Sequence, residues 1–454
     1  MELPNAVKDL LSRLAGRGYE AFAVGGCVRD TLLGRRPGDW DICTSALPEE
    51  TEACFSDCRV IETGMKHGTV TVLWAGEAYE ITTYRSDGAY TDHRRPETVT
   101  FVRSLTEDLR RRDFTVNAMA ADGSGTIFDP FGGQADLAAG ILRAVGEPEQ
   151  RFREDALRIL RGLRFASQLG FTLEPETALA MENCKGLLAY VSGERIMQEL
   201  NKLLMGPCRT AVLRKYSAIL GAVLPEILPA VGFSQHSRWH DRDVWEHTLG
   251  ALEQAEPDLY VRWAVLLHDL GKPASFTVDE TGAGHFYGHA EISEAMAREI
   301  FARFRSDNAT RDSVCSLIRY HGSEISPDRK PIRRWIGRLG ADQLFRLLEV
   351  MRCDAMGQAP IPEIQQRLEK LRELNELTKA VLEEESCFSI RDLAVNGRDA
   401  MELGAEPGPE IGKLLSALLG DVLEQRCENT PEALRGRLRE MLRREEPPER
   451  TKPC

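Results

Sequence analysis

Residues 25–42 read GGCVRDTLLGRRPGDWDI, and no other run constrains the fold as tightly. The apolar stretch 21–24 ahead of it reads as a strand that ends in the turn Gly25-Gly26. Residues 28–33 then read as a short helix and residues 40–44 as the next strand. Glycines at a strand-to-helix turn let backbone approach a phosphate, and the helix start offers free N–H groups and a positive dipole end. Asp39 and Asp41 stand at i and i+2 on the second strand, so alternation puts both side chains on one face. Two like charges held so close need cations. Mg²⁺ prefers carboxylate, water and phosphate oxygens, and two such ions can bind a triphosphate, polarise its α-phosphorus and activate an attacking hydroxyl. Alone, a D-x-D pair is more often a turn or surface feature; the upstream G-G-x-V-R-D at this spacing reverses those odds. Glu80, in YEITTYR, is a candidate third carboxylate, with a solvated strand residue as the plainer alternative.

Further strand candidates at 69–73, 79–84 and 99–102 make residues 1–140 a small α/β head. From Phe152 onward the apolar period becomes 3.6, as in EDALRILRGLRFASQLG and GERIMQELNKLLMG, with Gly170 and Gly206 as helix stops. The expected class is α+β. The head (1–140) precedes a helical neck (141–206), a connecting helical body (207–235), a second module (236–360) and a helical tail (361–445). A loop is expected at 282–288 and a helix break at 360–362. The charged, Pro-rich end, 446–454, is expected to be disordered. No internal repeat is present.

No apolar stretch approaches the roughly 20 residues of a membrane span, and the charged first helix lacks the core of a signal peptide. A cytoplasmic protein without a membrane partner is expected. Eleven scattered cysteines without a C-x-x-C pair argue for reduced thiols. The net charge of −13 opposes generic binding to nucleic acid, yet arginine is clustered at 94–95, at 110–112, and at Arg151, Arg153, Arg158, Arg161 and Arg164. A local basic track on an acidic protein suits one chosen polyanion.

The run 25–42 resembles the catalytic signature of the class II tRNA nucleotidyltransferases and bacterial poly(A) polymerases, within the DNA polymerase beta superfamily. Matching segments follow in order: TGMKHGTVTV (63–72), DGAYTDHRRPETVTF (87–101), RRRDFTVNAMA (110–120), DPFGG (129–133) and REDALRILRGLRFA (153–166). The resemblance covers the first 205 residues. It implies a polymerase-beta-like head, Mg²⁺ on Asp39 and Asp41, and nucleotide binding by Gly25, Gly26 and Arg29. It also implies that Arg112, Asp113 and Asn117 contact triphosphate and ribose, and that Arg161 and Arg164 continue that face.

Asp155 and Arg158 fall on a predicted helix, three residues apart, and so point the same way. A carboxylate only accepts and a guanidinium only donates. Cytosine and adenine both present an amino donor beside a ring-nitrogen acceptor, whereas uracil and guanine reverse that order. One Asp–Arg pair would therefore accept C and A and refuse U and G; the alternative is an ion pair between the two residues themselves. The resemblance implies that E-D-x-x-R is the protein template for the incoming base. Members of the family add CCA, add CC or A alone, or build poly(A). Residues 86–100 match the flexible loop that CC-only enzymes shorten, and TGMKHGTVTV resembles the CCA-adding branch. An A-adding enzyme shares nearly all these motifs. The expected partners are tRNA, CTP and ATP.

A second constellation lies downstream: His247 in VWEHTLG, His268 and Asp269 in LLHDLGKP, His289 in GHAEIS, His321 in RYHG and Asp354 in MRCDAMG. Each histidine taken singly is more often structural, but six metal-ligand candidates in order are harder to dismiss. Imidazole suits transition metals and carboxylate can bridge two ions; bound metal would activate water on a phosphoester, with Lys272 as a phosphate contact. The set resembles an HD-domain phosphohydrolase, which implies hydrolysis of phosphate or 2′,3′-cyclic phosphate ends, or else a folded metal-binding remnant. Residues from about 389 resemble the family's tRNA-holding segment, where Gly404, Gly408 and Gly412 would let backbone approach phosphates. The leading expectation is CCA addition to tRNA. The alternatives are A addition, poly(A) synthesis, a protein acting mainly as a phosphohydrolase, and a non-catalytic RNA-binding protein.

Overall fold

Alternating burial along 69–74, with Val70 and Val72 inside, marks a strand with one face on a core. The computed structural model describes residues 1–62, 64, 65, 68–87, 99–384 and 387–445. Most of the expected loop 86–100, including Arg94 and Arg95, lies outside the described residues, as do Thr63, Lys66, His67 and the expected tail 446–454. The chain forms two compact units, Met1–Leu228 with Ile300–Ser306, and Pro229–Glu299 with Asp307–Cys454.

In the first unit the strands are β1 (Ala21–Val24), β2 (Ile42–Thr44), β3 (Arg59–Ile61), β4 (Thr69–Trp74), β5 (Glu77–Thr83), β6 (Arg85–Asp87), β7 (Val99–Phe101), β8 (Ala120–Ala121) and β9 (Ile127–Phe128). Seven of them form one sheet in the order β3-β4-β5-β2-β1-β8-β9, and β6 pairs with β7 apart from it. β2 and β5 are parallel neighbours with Ile42 opposite Ile81; the other pairs in the sheet are antiparallel. The helices are α1 (Asn5–Ala15), α2 (Gly26–Leu32), α3 (Pro48–Cys54), α4 (Leu105–Arg110), α5 (Gly133–Ala139), α6 (Pro148–Glu154), α7 (Leu157–Leu169), α8 (Pro175–Cys184), α9 (Gly193–Leu204), α10 (Arg209–Lys215) and α11 (Ser217–Leu220). α1 turns Val7, Leu10, Leu11 and Leu14 inward, at the 3–4-residue spacing of an amphipathic helix. α7 and α9 pack against each other.

Two expectations about local structure are corrected. Asp39 and Asp41 precede β2 rather than lying within it, because the ladder with β1 begins at Ile42. The backbone is nonetheless held, since Val24 N–H donates to Asp41 O at 3.0 Å. Asp155 is not on a helix. It is extended (φ −135°, ψ 103°) between α6 and α7. Its Oδ1 accepts from Leu157 N at 3.1 Å, and an aspartate that satisfies a free N–H of the next helix start favours such a break.

The second unit is helical: α12 (Val244–Glu253), α13 (Leu259–Leu267), α14 (Lys272–Ser275), α15 (His289–Arg303), α16 (Asn308–Tyr320), α17 (Arg329–Leu339), α18 (Ala341–Gly357), α19 (Pro362–Glu384), α20 (Gly397–Glu402), α21 (Pro409–Leu423) and α22 (Pro431–Glu445). α12, α13, α16 and α18 pack around Trp263, Val265, Leu347 and other buried apolar residues. The expected loop 282–288 contains the strand Gly284–His285, paired with Thr277–Val278. Asp279 Oδ1 closes that turn by accepting from Thr281 N at 2.9 Å and Ala283 N at 3.0 Å. The tail helices α20 to α22 share an apolar cluster that includes Ala400, Leu418, Leu434 and Leu438.

Candidate active site

β1 runs straight into Gly25, which takes φ 83°. A Cβ there would lie 2.8 Å from Arg112 Nη1, so the turn demands glycine both for conformation and for space. α2 then presents Arg29, which donates to Asn117 Oδ1 at 2.6 Å and Asp30 Oδ1 at 2.8 Å. Asn117, on the 3₁₀ turn Thr115–Asn117, donates to Asp113 Oδ1 at 3.1 Å, and Arg161 Nε donates to Asp113 Oδ2 at 2.7 Å. Burial works to raise the Asp113 carboxyl, but Arg161 and Asn117 outweigh it and hold the group well below the ordinary carboxylate range.

Twelve of the thirteen residues singled out in the head and neck line one cleft of about 640 Å³. The thirteenth, Glu80, is exposed on β5 outside that lining. The β2–β5 register sets it beside Asp41, one residue ahead of the Ile42–Ile81 pair. Burial, together with Asp39 and Glu80 and against the pull of Arg112, lifts the Asp41 carboxyl to about 6. The lining holds eight arginines and four aspartates, an excess of positive charge suited to a polyphosphate. Arg158 and Asp155 do not pair with each other. Arg158 donates to Glu154 Oε2 (2.8 Å) and Arg111 O (2.7 Å), while Asp155 pairs with Arg195 of α9 at 2.9 Å. Sequence reasoning missed Arg85, Arg195, Phe165 and Gln168 in this lining; Arg195 sits in an ordinary amphipathic pattern and carries no local signal.

In the second unit the six predicted ligands converge from five places in the chain, His268 and Asp269 being adjacent at the end of α13. His247 Nε2 lies 3.2 Å from Asp269 Oδ2 and 3.1 Å from Asp354 Oδ1. His268 Nε2 lies 3.2 Å from Asp269 Oδ2, and His289 Nε2 lies 3.6 Å from Asp269 Oδ1. Among the described residues, the groups whose ligand atoms come within 4.8 Å of one another are His247, His268 and Asp354, and His268, Asp269 and His321. Among the described residues the head carboxylates form no such group. Three rings are tied by Nδ1 to the carbonyl three residues back: His268 to Val265 (2.7 Å), His289 to Phe286 (2.8 Å) and His321 to Ile318 (2.6 Å). A carbonyl only accepts, so each Nδ1 carries a proton and leaves Nε2 of its ring to face the cluster. The Nε2 atoms of His289 and His321 face each other at 3.2 Å. At that distance either one ring holds a proton at Nε2 and donates to the other, or a metal cation meets two lone pairs. Burial works to lower His268, but Asp269 and Asp354 carry it up to about 10. Lys272 is not at an open face. It is buried and spends its ammonium on Asp269 (2.7 Å) and Gln235 (2.8 Å). His240, seven residues before His247, also packs here, with its Nε2 3.4 Å from Lys272 Nζ.

Fold and cleft together define a nucleotidyltransferase. The family described as "Poly A polymerase head domain" matches residues 21–143. The family described as "Probable RNA and SrmB- binding site of polymerase A" matches 170–230, and a tRNA nucleotidyltransferase domain 2 family matches 285–437. A CCA-adding enzyme of Geobacillus stearothermophilus is 38% identical over 441 residues, 96% of this chain and 97% of that protein. A CCA-adding enzyme of Lactiplantibacillus plantarum is 35% identical over 94% of both chains. The crystal structure of the Bacillus stearothermophilus CCA-adding enzyme in complex with CTP superposes with a TM-score of 0.72 at 34% identity, covering 98% of this chain and 99% of that one. A Thermotoga maritima CCA-adding enzyme complexed with tRNA shares the fold, with a TM-score of 0.54 at 19% identity over 96% of this chain and 95% of that one. The chain belongs to the CCA-adding enzymes, the tRNA nucleotidyltransferases that complete the 3′ end. Among the described residues, no helix is long and apolar enough to cross a membrane.

Proposed function

We propose that the head, with Mg²⁺, joins C, C and A from CTP and ATP to the 3′ end of tRNA. The observation that carries this reading is the single cleft that gathers Asp39, Asp41, the Gly25-Gly26 turn, the arginine cluster and the Asp155–Arg158 pair. The relative from Bacillus stearothermophilus, solved with CTP, supports the choice of CTP. Asp39, Asp41 and Glu80 fit Mg²⁺ by donor type. They offer only carboxylate oxygens, and their crowding already lifts Asp41. Bound there, the ion would neutralise phosphate charge and favour the ionised attacking hydroxyl.

The chain's own residues do the rest. The Gly25-Gly26 turn admits phosphate to the backbone, and Arg29, Arg112, Arg161 and Arg164 bind it. Asp113 and Asn117 lock Arg161 and Arg29 in place and meet the ribose. Asp155 accepts from the amino group of C or A, and Arg158 donates to the ring nitrogen beside it. Asp155 must exchange Arg195 for the base, and Arg158 must give up Glu154 or one of its two carbonyl acceptors, Arg111 and Arg151. The tRNA 3′ oxygen then forms a bond to the α-phosphorus, the α–β bond breaks, and pyrophosphate leaves among the arginines. The helical neck (141–206) selects the base and the tail (361–445) holds the tRNA.

The test uses purified protein, Mg²⁺ and tRNA transcripts ending before the tail or after CC, each given CTP, ATP or both. Stepwise C, C, A and then arrest is expected, and Asp41→Ala is expected to abolish addition. Addition of A alone to the CC-ended transcript, or a long A ladder, would overturn the reading.

A second reading concerns the other unit. We propose that it binds a divalent transition metal through His247, His268, Asp269, His289, His321 and Asp354 and hydrolyses phosphomonoesters or 2′,3′-cyclic phosphates. The facing Nε2 atoms of His289 and His321 favour it. Metal analysis of the purified protein tests this independently of turnover: bound metal that His268→Ala removes is expected, and a metal-free wild type after loading would refute it.

A further inference from the structure

Phe165 of α7 faces three guanidinium groups at once. The Arg164 guanidinium carbon lies 4.1 Å from the ring centroid, that of Arg29 5.1 Å and that of Arg161 5.4 Å. The ring is 6% exposed, lines the cleft, and is itself fixed edge-on against Phe114 at 6.0 Å and 83°. Arg29 arrives from α2, while Arg161 and Arg164 stand four residues and one residue before the ring on its own helix.

Three like charges in one cleft wall repel one another. Each has an acidic partner of its own: Asp30, Asp113 and Glu199. Those partners are spread over three elements, and the ring is what the three cations share. An aromatic face attracts cations through its quadrupole. Unlike a further carboxylate, it adds no net negative charge, so it gathers the guanidiniums without cancelling the positive field that a triphosphate requires. A leucine of similar bulk would fill the space and supply no such attraction.

We propose that Phe165 is the positioning residue of the triphosphate site, holding Arg29, Arg161 and Arg164 in register through its π face. The proposal rests on the reading of this cleft as the nucleotide site. Phosphate contacts are made before and during reaction alike, so their loss acts mainly on KM.

The experiment replaces Phe165 by Leu, Tyr and Trp, and by phenylalanines carrying one to five ring fluorines, which deplete the π face at nearly constant shape. Steady-state addition to tRNA is measured with CTP and with ATP, alongside the melting temperature of each variant. Phe165→Leu is expected to raise KM for both nucleotides by about tenfold at a nearly unchanged kcat, the scale of a desolvated cation–π contact. Tyr and Trp are expected to restore most of it, and KM is expected to climb stepwise with fluorination at constant melting temperature. A flat fluorine series, or Leu equal to Tyr and Trp, would overturn the proposal while leaving the cleft's assignment intact. Addition that survives Asp41→Ala would instead overturn the assignment on which it rests.

Discussion

Replacing Asp41 by asparagine is expected to abolish addition and yet stabilise the head in metal-free buffer. Burial and the charges of Asp39 and Glu80 raise its carboxyl from 3.8 to about 6. A raised acid holds its proton more firmly in the folded chain, so between pH 4 and 6 the native state binds more protons than the unfolded one. Stability from this group is therefore present in acid and falls as pH rises through that window. Each pKa unit corresponds to about 1.4 kcal/mol, so the cost of an ionised Asp41 at pH 7 has an upper bound of about 3 kcal/mol. Solvent screening of the partly open group reduces this to roughly 2 kcal/mol. Asparagine keeps the shape and removes the charge. Scanning calorimetry in chelator at pH 7 should raise the head transition by roughly 4–8 °C, and at pH 4 the difference should vanish. Added Mg²⁺ should then stabilise the wild type far more than Asp41→Asn. A variant less stable than wild type at pH 7, or a gain that persists unchanged at pH 4, would refute the electrostatic account.

Asp155→Ala should relax selection against UTP and GTP, because the acceptor for the base amino group is lost. Misincorporation on CC-ended transcripts measures it, and fidelity equal to wild type would sink the template assignment. Gly25→Ala should destabilise the head by about 1–3 kcal/mol, from a side chain forced into left-handed backbone. It should also raise KM for both nucleotides by displacing Arg112, whose Nη1 lies 2.8 Å from the new carbon; denaturant melts and kinetics that both match wild type would contradict it. Chelation followed by return of Mg²⁺ alone should leave the second unit without its proposed transition metal, lower that unit's melting temperature and leave CCA addition intact, which calorimetry and the tRNA assay read separately.

Much of this was legible in the chain. The run from Ala21 to Leu32 announces strand, turn and helix through its apolar stretch and glycine pair, and it folds that way. The six histidines and aspartates of the second unit meet as their motif order implies. The break at Asp155 was not legible, because Glu, Ala, Leu and Arg around it favour helix and EDALRI holds no Gly or Pro to mark a stop. The capping of Leu157 and the pull of Arg195, forty residues away, decide its conformation. β8 and β9 are two residues each, too short to show a period, yet β8 covers the flank of β1. Phe165 reads as one more apolar position in an amphipathic helix, since Arg29, the third of its arginines, joins it only once α2 is in place. The aspartate pair belongs just ahead of β2, because neighbouring strands and not local alternation decide where a ladder begins.

The parallel pairing of β2 with β5 makes Asp41 and Glu80 neighbours although a whole excursion, α3 with β3 and β4, separates them in the chain. That excursion returns at the tight turn Ala75-Gly76, where both residues have positive φ. The acidic group is therefore fixed by strand register and is indifferent to how long the intervening chain is. Changes of length in that outer edge leave the Asp41–Glu80 neighbourhood to the register alone. An engineer can likewise insert a tag or a second domain at Ala75-Gly76 and leave the carboxylates where they stand.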